Sequence, residues 1–151
     1  MDAIRYDLKT LNRQFQLASK QRTASANNLI ALLEQSFPGI RKCFDSPVRS
    51  DGTQKWVDFA HSFWHVDCVR KQPFPAFCER YRKWCKRHAY LFKLSNAEEV
   101  YALAKRAVVL TPKAKVVKVL VQEAANQLIS ISRSVEVYRA EMDRLAAMLP
   151  E

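Results

Sequence analysis

Glycine is almost missing from this sequence: Gly39 and Gly52 are the only two in 151 residues. Folds rich in hairpins need many more, and so does a phosphate loop built on glycine amides. No apolar run approaches the roughly 18 residues that a membrane span requires. The chain opens on a polar, charged stretch and carries no apolar core of a secretory signal. The GxSxG, HExxH and P-loop patterns are absent, as is the paired CxxC spacing of a zinc site. Carboxylates are sparse, 15 against 25 lysines and arginines, and they scatter along predicted helix faces. These absences point away from sheet folds, membrane proteins and the common hydrolases, and no catalytic residue is nominated. Cys43, Cys68, Cys78 and Cys85, without a signal sequence, read as reduced thiols in a cytosol.

What is present is positive charge. The net charge is +10 with a pI near 9.7, which calls for an anionic partner, nucleic acid before an acidic membrane surface. The excess is concentrated: residues 38–95 hold twelve lysines and arginines against five carboxylates, a balance of +7. The same segment holds eleven of the sixteen aromatic residues.

The two ends follow a different rule. Ile4, Leu8, Leu11, Phe15, Ala18, Arg22, Ser25, Leu29, Leu32 and Ser36 step by four and three, the 3.5-residue period of a coiled-coil seam. Val117, Val121, Ala124, Leu128, Ile131, Val135, Tyr138, Met142, Leu145 and Leu149 repeat it without a polar interruption. Pro38 and Gly39 end the first helix, which starts without an evident cap. Thr111 and Pro112 are the expected N-cap and first turn of the last. Each helix would be about 50 Å long, too long for a compact domain, so the stripes must cover one another within the chain or between two copies. The expected fold is all-α and single-domain. A long antiparallel helical hairpin, residues 2–37 and 111–149, would carry a small basic, aromatic-rich helical subdomain, residues 38–110, at its tip.

Within that insert, Asp51-Gly52 reads as a turn before a helix presenting Trp56, Phe59 and Phe63, and Pro73 and Pro75 mark entry to the next. Ser95 and Glu98 form an expected capping box for a short helix through Tyr101 and Ala104. In the stretch FCERYRKWCKRH, Phe77, Tyr81, Trp84, Cys85 and His88 share a helical stripe that reads as core. Arg80, Lys83 and Arg87 flank it on one side and Arg82 and Lys86 on the other, a cationic surface suited to a phosphate backbone or to plain solvent. Lys105, Arg106, Lys113, Lys115 and Lys118 form a second basic cluster. Cys78, Cys85 and His88, or His61, His65 and Cys68, are the zinc alternatives, although buried cysteine is commonly a small hydrophobe. Asp58 and Asp67, read as lying on one helix, would be about 13 Å apart and serve only as solvated surface.

The strings LKTLNRQ, NLIALLEQSFPGIRKCF, SPVRSDGTQKWVDF, YRKWCKRH and VYRAEMDRLAAMLPE resemble, in order and spacing, the central region of the DEDD-type transposases of bacterial insertion sequences, the one-ten family. The resemblance spans essentially the whole chain. It implies a bacterial recombinase with a RuvC-like domain bearing four acidic magnesium ligands, a coiled-coil middle and a C-terminal domain with a serine nucleophile, guided by a structured RNA. In relatives, the equivalent of LPE leads into that last domain. Neither the acidic tetrad nor the serine motif has a counterpart here. By resemblance this chain would be the non-catalytic helical arm, needing no cofactor of its own and no small-molecule substrate. Arg80, Arg82, Lys83, Lys86 and Arg87 are the expected contacts to DNA or guide RNA. Ile4, Leu8, Leu11, Phe15, Val121, Leu128, Ile131, Val135, Tyr138 and Met142 are the packing seam of an expected homo-oligomer. The alternative is a purely structural protein-interaction module without nucleic-acid affinity.

Overall fold

Helix α1 runs from Ala3 to Ser36 and does have a cap: the Asp2 carboxylate accepts the Arg5 amide at 2.9 Å. A short acidic side chain just before a helix satisfies an orphan first-turn N–H, a role the sequence reading had not given it. At the other end Pro38 cannot continue the ladder, Phe37 donates back to Leu33 at 2.7 Å, and Gly39 takes φ +80° to redirect the chain. The structure is a computed structural model describing residues 2–150. Among the described residues it is 73% helix with no strand.

Helix α6, Lys115–Ala146, packs along α1 in the opposite direction. The pairing register is marked by Arg22 and Glu136, 3.8 Å apart, and by the Arg139 guanidinium 5.6 Å from the Phe15 ring. The apolar stripes therefore cover one another within one chain. Their burial is graded: Val121, Leu128 and Val135 are buried with Leu29 and Leu33, whereas Ile4, Leu8, Leu11, Phe15, Ile131, Tyr138 and Met142 remain partly exposed. The insert adds cover near the tip, and Ala18, Val135 and Leu145 are buried further along the stem, outside the main core cluster.

The start of α6 differs from the expected Thr111 cap. The helix begins after Ala114, and no side chain caps it. Thr111 is held out of the helix because its carbonyl accepts from His65 Nε2 at 2.7 Å, while Ala107 accepts from Arg70 at 3.0 Å. Residues 107–114 form a strap fastened to the insert.

The insert comprises a 3₁₀ turn at Ile40–Cys43 and helices α2 (Lys55–Ser62), α3 (Asp67–Arg70), α4 (Phe74–Arg87) and α5 (Leu94–Arg106). Its core is aromatic and centres on Phe59, whose ring lies 4.5 Å from Phe63, 5.0 Å from Phe44, 5.7 Å from Trp84 and 5.8 Å from Tyr81. Trp84 and Tyr81 meet it edge-to-face, which puts a positive ring edge against a negative face, while Phe63 is stacked on it. The polar tips are satisfied: Trp84 donates to Ser62 at 2.9 Å, Tyr90 to the Asp58 carboxylate, and Tyr81 to Asn96. Two sequence expectations fail here. Asp58 and Asp67 do not share a helix, because α2 ends at Ser62 and α3 starts only at Asp67. Ser95 and Glu98 make no capping box: α5 already starts at Leu94, with Lys93 in the cap position and no side chain capping it.

The turn at Asp51-Gly52 anchors the insert to the hairpin. Asp51 accepts from Thr53 N at 3.0 Å, and Gly52 takes φ +87° against the backbone of α6 at Ile129 and Arg133. The close approach is possible because glycine presents no Cβ.

Candidate nucleic-acid interface

Helix α4 is aimed by its own sequence. Pro73 and Pro75 fix its first turn, and Phe77, Tyr81, Trp84 and Cys85 bury one face. The basic residues must then lie outward, and all five of the expected contacts are exposed. Their environments differ. Arg82 is paired with Glu79 at 2.7 Å, and Lys83 lies 3.9 Å from the same carboxylate. Glu79 is correspondingly held below the usual carboxylate range, first by the Arg82 hydrogen bond. The side chains of Lys86 and Arg87 have no ion pair or hydrogen bond among the described residues. Arg80 reaches off α4 toward α3 and the end of α2: it donates to the Cys68 carbonyl at 3.1 Å and sits 4.8 Å from the Phe63 ring.

Arg80 therefore forms one wall of a cleft of about 470 Å³. The other cations of that cleft come from elsewhere: Lys71 after α3, Lys113 on the strap, and Lys118 in the first turn of α6. What brings them together is His65. This buried imidazole accepts the Asp67 amide on Nδ1 at 3.0 Å and donates from Nε2 to Thr111, so the Nε2–H tautomer satisfies both contacts. The bond to Thr111 fastens the strap and sets Lys113 5.8 Å from the Trp64 ring. Gln122 adds a second tie, donating to the His61 carbonyl at 2.9 Å. The two basic clusters of the sequence, on α4 and around the start of α6, thus meet.

The cleft is strongly unbalanced in charge. Its one lining carboxylate, Asp67, is bound to Arg70 at 2.6 Å. Burial pushes that carboxyl up, but the Arg70 hydrogen bond and charge, with help from nearby cations, hold it below its ordinary range. Ser62, Gln72 and Gln122 supply neutral polar groups at the walls, and Trp64 an indole edge. Four cations around such a hollow suit phosphate oxygens, whose contact would displace counterions.

Of the five expected α4 contacts only Arg80 lines the cleft. Of the second cluster, Lys113 and Lys118 do; Lys115 does not, and Lys105 turns toward the Tyr101 ring at 5.5 Å. Lys71 was missed, and a lone exposed lysine between short helices carries no pattern by which to find it. The zinc alternatives are not assembled: among the described residues no three histidine, cysteine or acidic side chains gather to hold a metal. No helix among the described residues is long and apolar enough to cross a membrane. Compared with known proteins, the chain matches no family model, no curated protein and no solved structure.

Proposed function

We propose that this chain is a nucleic-acid-binding helical arm without catalytic residues of its own, serving DNA transposition in the manner of the coiled-coil region of an insertion-sequence transposase. One observation supports the binding role above the rest: Lys71, Arg80, Lys113 and Lys118, from separate parts of the chain, converge on one cleft whose single carboxylate is already neutralised. The transposase setting rests on the sequence resemblance. Lys86 and Arg87, unpaired on the outer face of α4, extend the contact surface. The ligand is a phosphodiester backbone, as duplex DNA or structured guide RNA. In the parent protein, the acidic ligands for magnesium would lie on another domain.

The test is a gel-shift titration against structured RNA and duplex DNA at two salt concentrations. Binding should weaken steeply with salt, and each cleft lysine changed to alanine should lower the slope of log Kd against log salt by about 1. Changing Arg80, Arg82, Lys83, Lys86 and Arg87 together should weaken binding further, with Arg82 and Lys83 contributing least because Glu79 already engages them. Binding that ignores both sets of changes overturns the proposal. That outcome would favour the structural module, a reading supported by how many cations here are spent on internal carbonyls and rings.

A further inference from the structure

A second hollow, of about 480 Å³, lies between the loop that follows the 3₁₀ turn and the turn joining α4 to α5. It shares no lining residue with the cleft described above. Its inner wall carries Lys55, the first residue of α2. The Lys55 ammonium donates to the Leu91 carbonyl at 3.0 Å and stands 5.4 to 6.0 Å from the rings of Tyr81, Phe44 and Tyr90. An ammonium has three donors, and this bond uses one. Lys55 forms no ion pair among the described residues. Burial lowers its pKa; Cys85 opposes this in part, and the like charge of Lys93 adds a smaller lowering.

The surroundings repeat the imbalance. Arg49 lies in the wall with its guanidinium 3.8 Å from the Tyr90 ring, donating to the His88 and Ala89 carbonyls at 2.9 and 2.6 Å. Lys93 stands on the rim at the N-cap of α5, and because no side chain caps that helix, its first-turn amides add partial positive charge to the same end. Asp45 is the one carboxylate in the lining and is exposed. A half-buried ammonium kept without a counterion is costly unless an anion completes the site.

We infer that this hollow is a binding site for a phosphate monoester, held by Lys55 and Lys93 at the N-terminal end of α5. A carboxylate offers two oxygens; a monoester offers three and up to two charges, which suits two ammonium groups and backbone amides together. The phosphate has two possible sources, the 5′ end of a nucleic-acid strand or a free nucleotide. The inference goes beyond the proposed function and does not rest on the cleft.

Calorimetric titration of the full chain at constant ionic strength tests it, with inorganic phosphate, AMP, and a trinucleotide carrying either a 5′ phosphate or a 5′ hydroxyl. Saturable one-to-one binding of inorganic phosphate is expected. K55M should weaken it about tenfold or more and K93A about threefold or more, the loss of one charge-assisted contact each. The changes Lys113→Ala and Lys118→Ala should leave it within about twofold, which separates this site from the cleft. A 5′-phosphorylated trinucleotide binding about tenfold tighter than its hydroxyl counterpart assigns the strand end; AMP binding as tightly as that trinucleotide assigns a free nucleotide. Absence of saturable phosphate binding overturns the inference, as does binding that survives K93A and K55M or is lost with the cleft lysines instead. Should circular dichroism show K55M unfolded, K93A decides alone, since Lys93 is exposed and plays no part in the core.

Discussion

The substitution Gly52→Ala isolates the contact that holds the insert to the hairpin. Adding one methyl group does two things. It places an L residue at φ +87°, and it drives a Cβ into the Ile129 carbonyl oxygen and the Arg133 amide nitrogen, with Arg133 Cα only 2.9 Å away. The backbone strain is worth about 1–2 kcal/mol. Overpacking against main chain, which cannot rotate aside, adds about 1–3 kcal/mol, and the stiffer unfolded chain returns about 0.4–1 kcal/mol. The expected net loss is about 2–4 kcal/mol, a fall in Tm of on the order of 10 °C for a chain of this length. Thermal melts followed at 222 nm measure it. Gly39→Ala is the control: φ is +80°, but the new Cβ would meet only Leu103 side-chain carbons at 3.6 and 3.9 Å, ordinary contact. It should cost about 1 kcal/mol, the strain less the unfolded-state gain. If the two variants melt within 2 °C of each other, as a rough margin of measurement, the docking of the turn on α6 contributes nothing and the reasoning is refuted.

Other perturbations probe other parts. Phe59→Ala removes the ring on which the aromatic cluster closes and should cost about 3–5 kcal/mol by chemical denaturation, whereas a loss under 1 kcal/mol would mean the cluster re-forms without it. Ser36→Ala and Ser132→Ala each delete a buried hydroxyl with no hydrogen-bond partner among the described residues and should be neutral or stabilise by up to about 1 kcal/mol; a clear loss would show that those hydroxyls are bonded. His88 packs at a tilt against Trp84, ring centroids 4.8 Å apart, and burial is the main cause of its depressed pKa. The unfolded chain therefore binds its proton first, so this contribution to stability declines as pH falls through about 6.5 and levels off below the folded pKa. Relative to wild type, His88→Gln should flatten stability between pH 7 and 5.

The stripes of α1 and α6 were legible because periodicity alone locates a helix and its buried face. Their pairing within one chain was not, since a heptad seam is satisfied by any partner. The aromatic stripe of α4 was legible for the same reason as the long helices. Failures gathered at helix starts. Thr111 has the residue type of a cap, but a cap forms only where the backbone is free to turn, and here His65, 46 residues away in sequence, holds the Thr111 carbonyl. Ser95 also has the right type; the chain leaving Tyr90 enters α5 two residues too early for it, with Lys93 at the N-cap.

The same distinction explains the basic residues. A sequence shows how many cations a segment carries; packing decides which remain free. On α4, Glu79 occupies Arg82 and Lys83, and Arg80 lies over Phe63, so a surface that counts as five charges in sequence presents Lys86 and Arg87 as its unpaired members. Meanwhile the strap carries Lys113, and the first turn of α6 carries Lys118, to Arg80 and Lys71, residues between 33 and 47 positions apart along the chain. Concentrated positive charge at the cleft thus depends on the fold, and through His65 on one buried imidazole. Under the proposed function, replacing His65 with Leu should therefore weaken nucleic-acid binding without removing a single cation, by releasing the strap. If His65→Leu lowers Tm yet leaves the affinity and its salt slope unchanged in the folded protein, Lys113 and Lys118 do not act from the cleft.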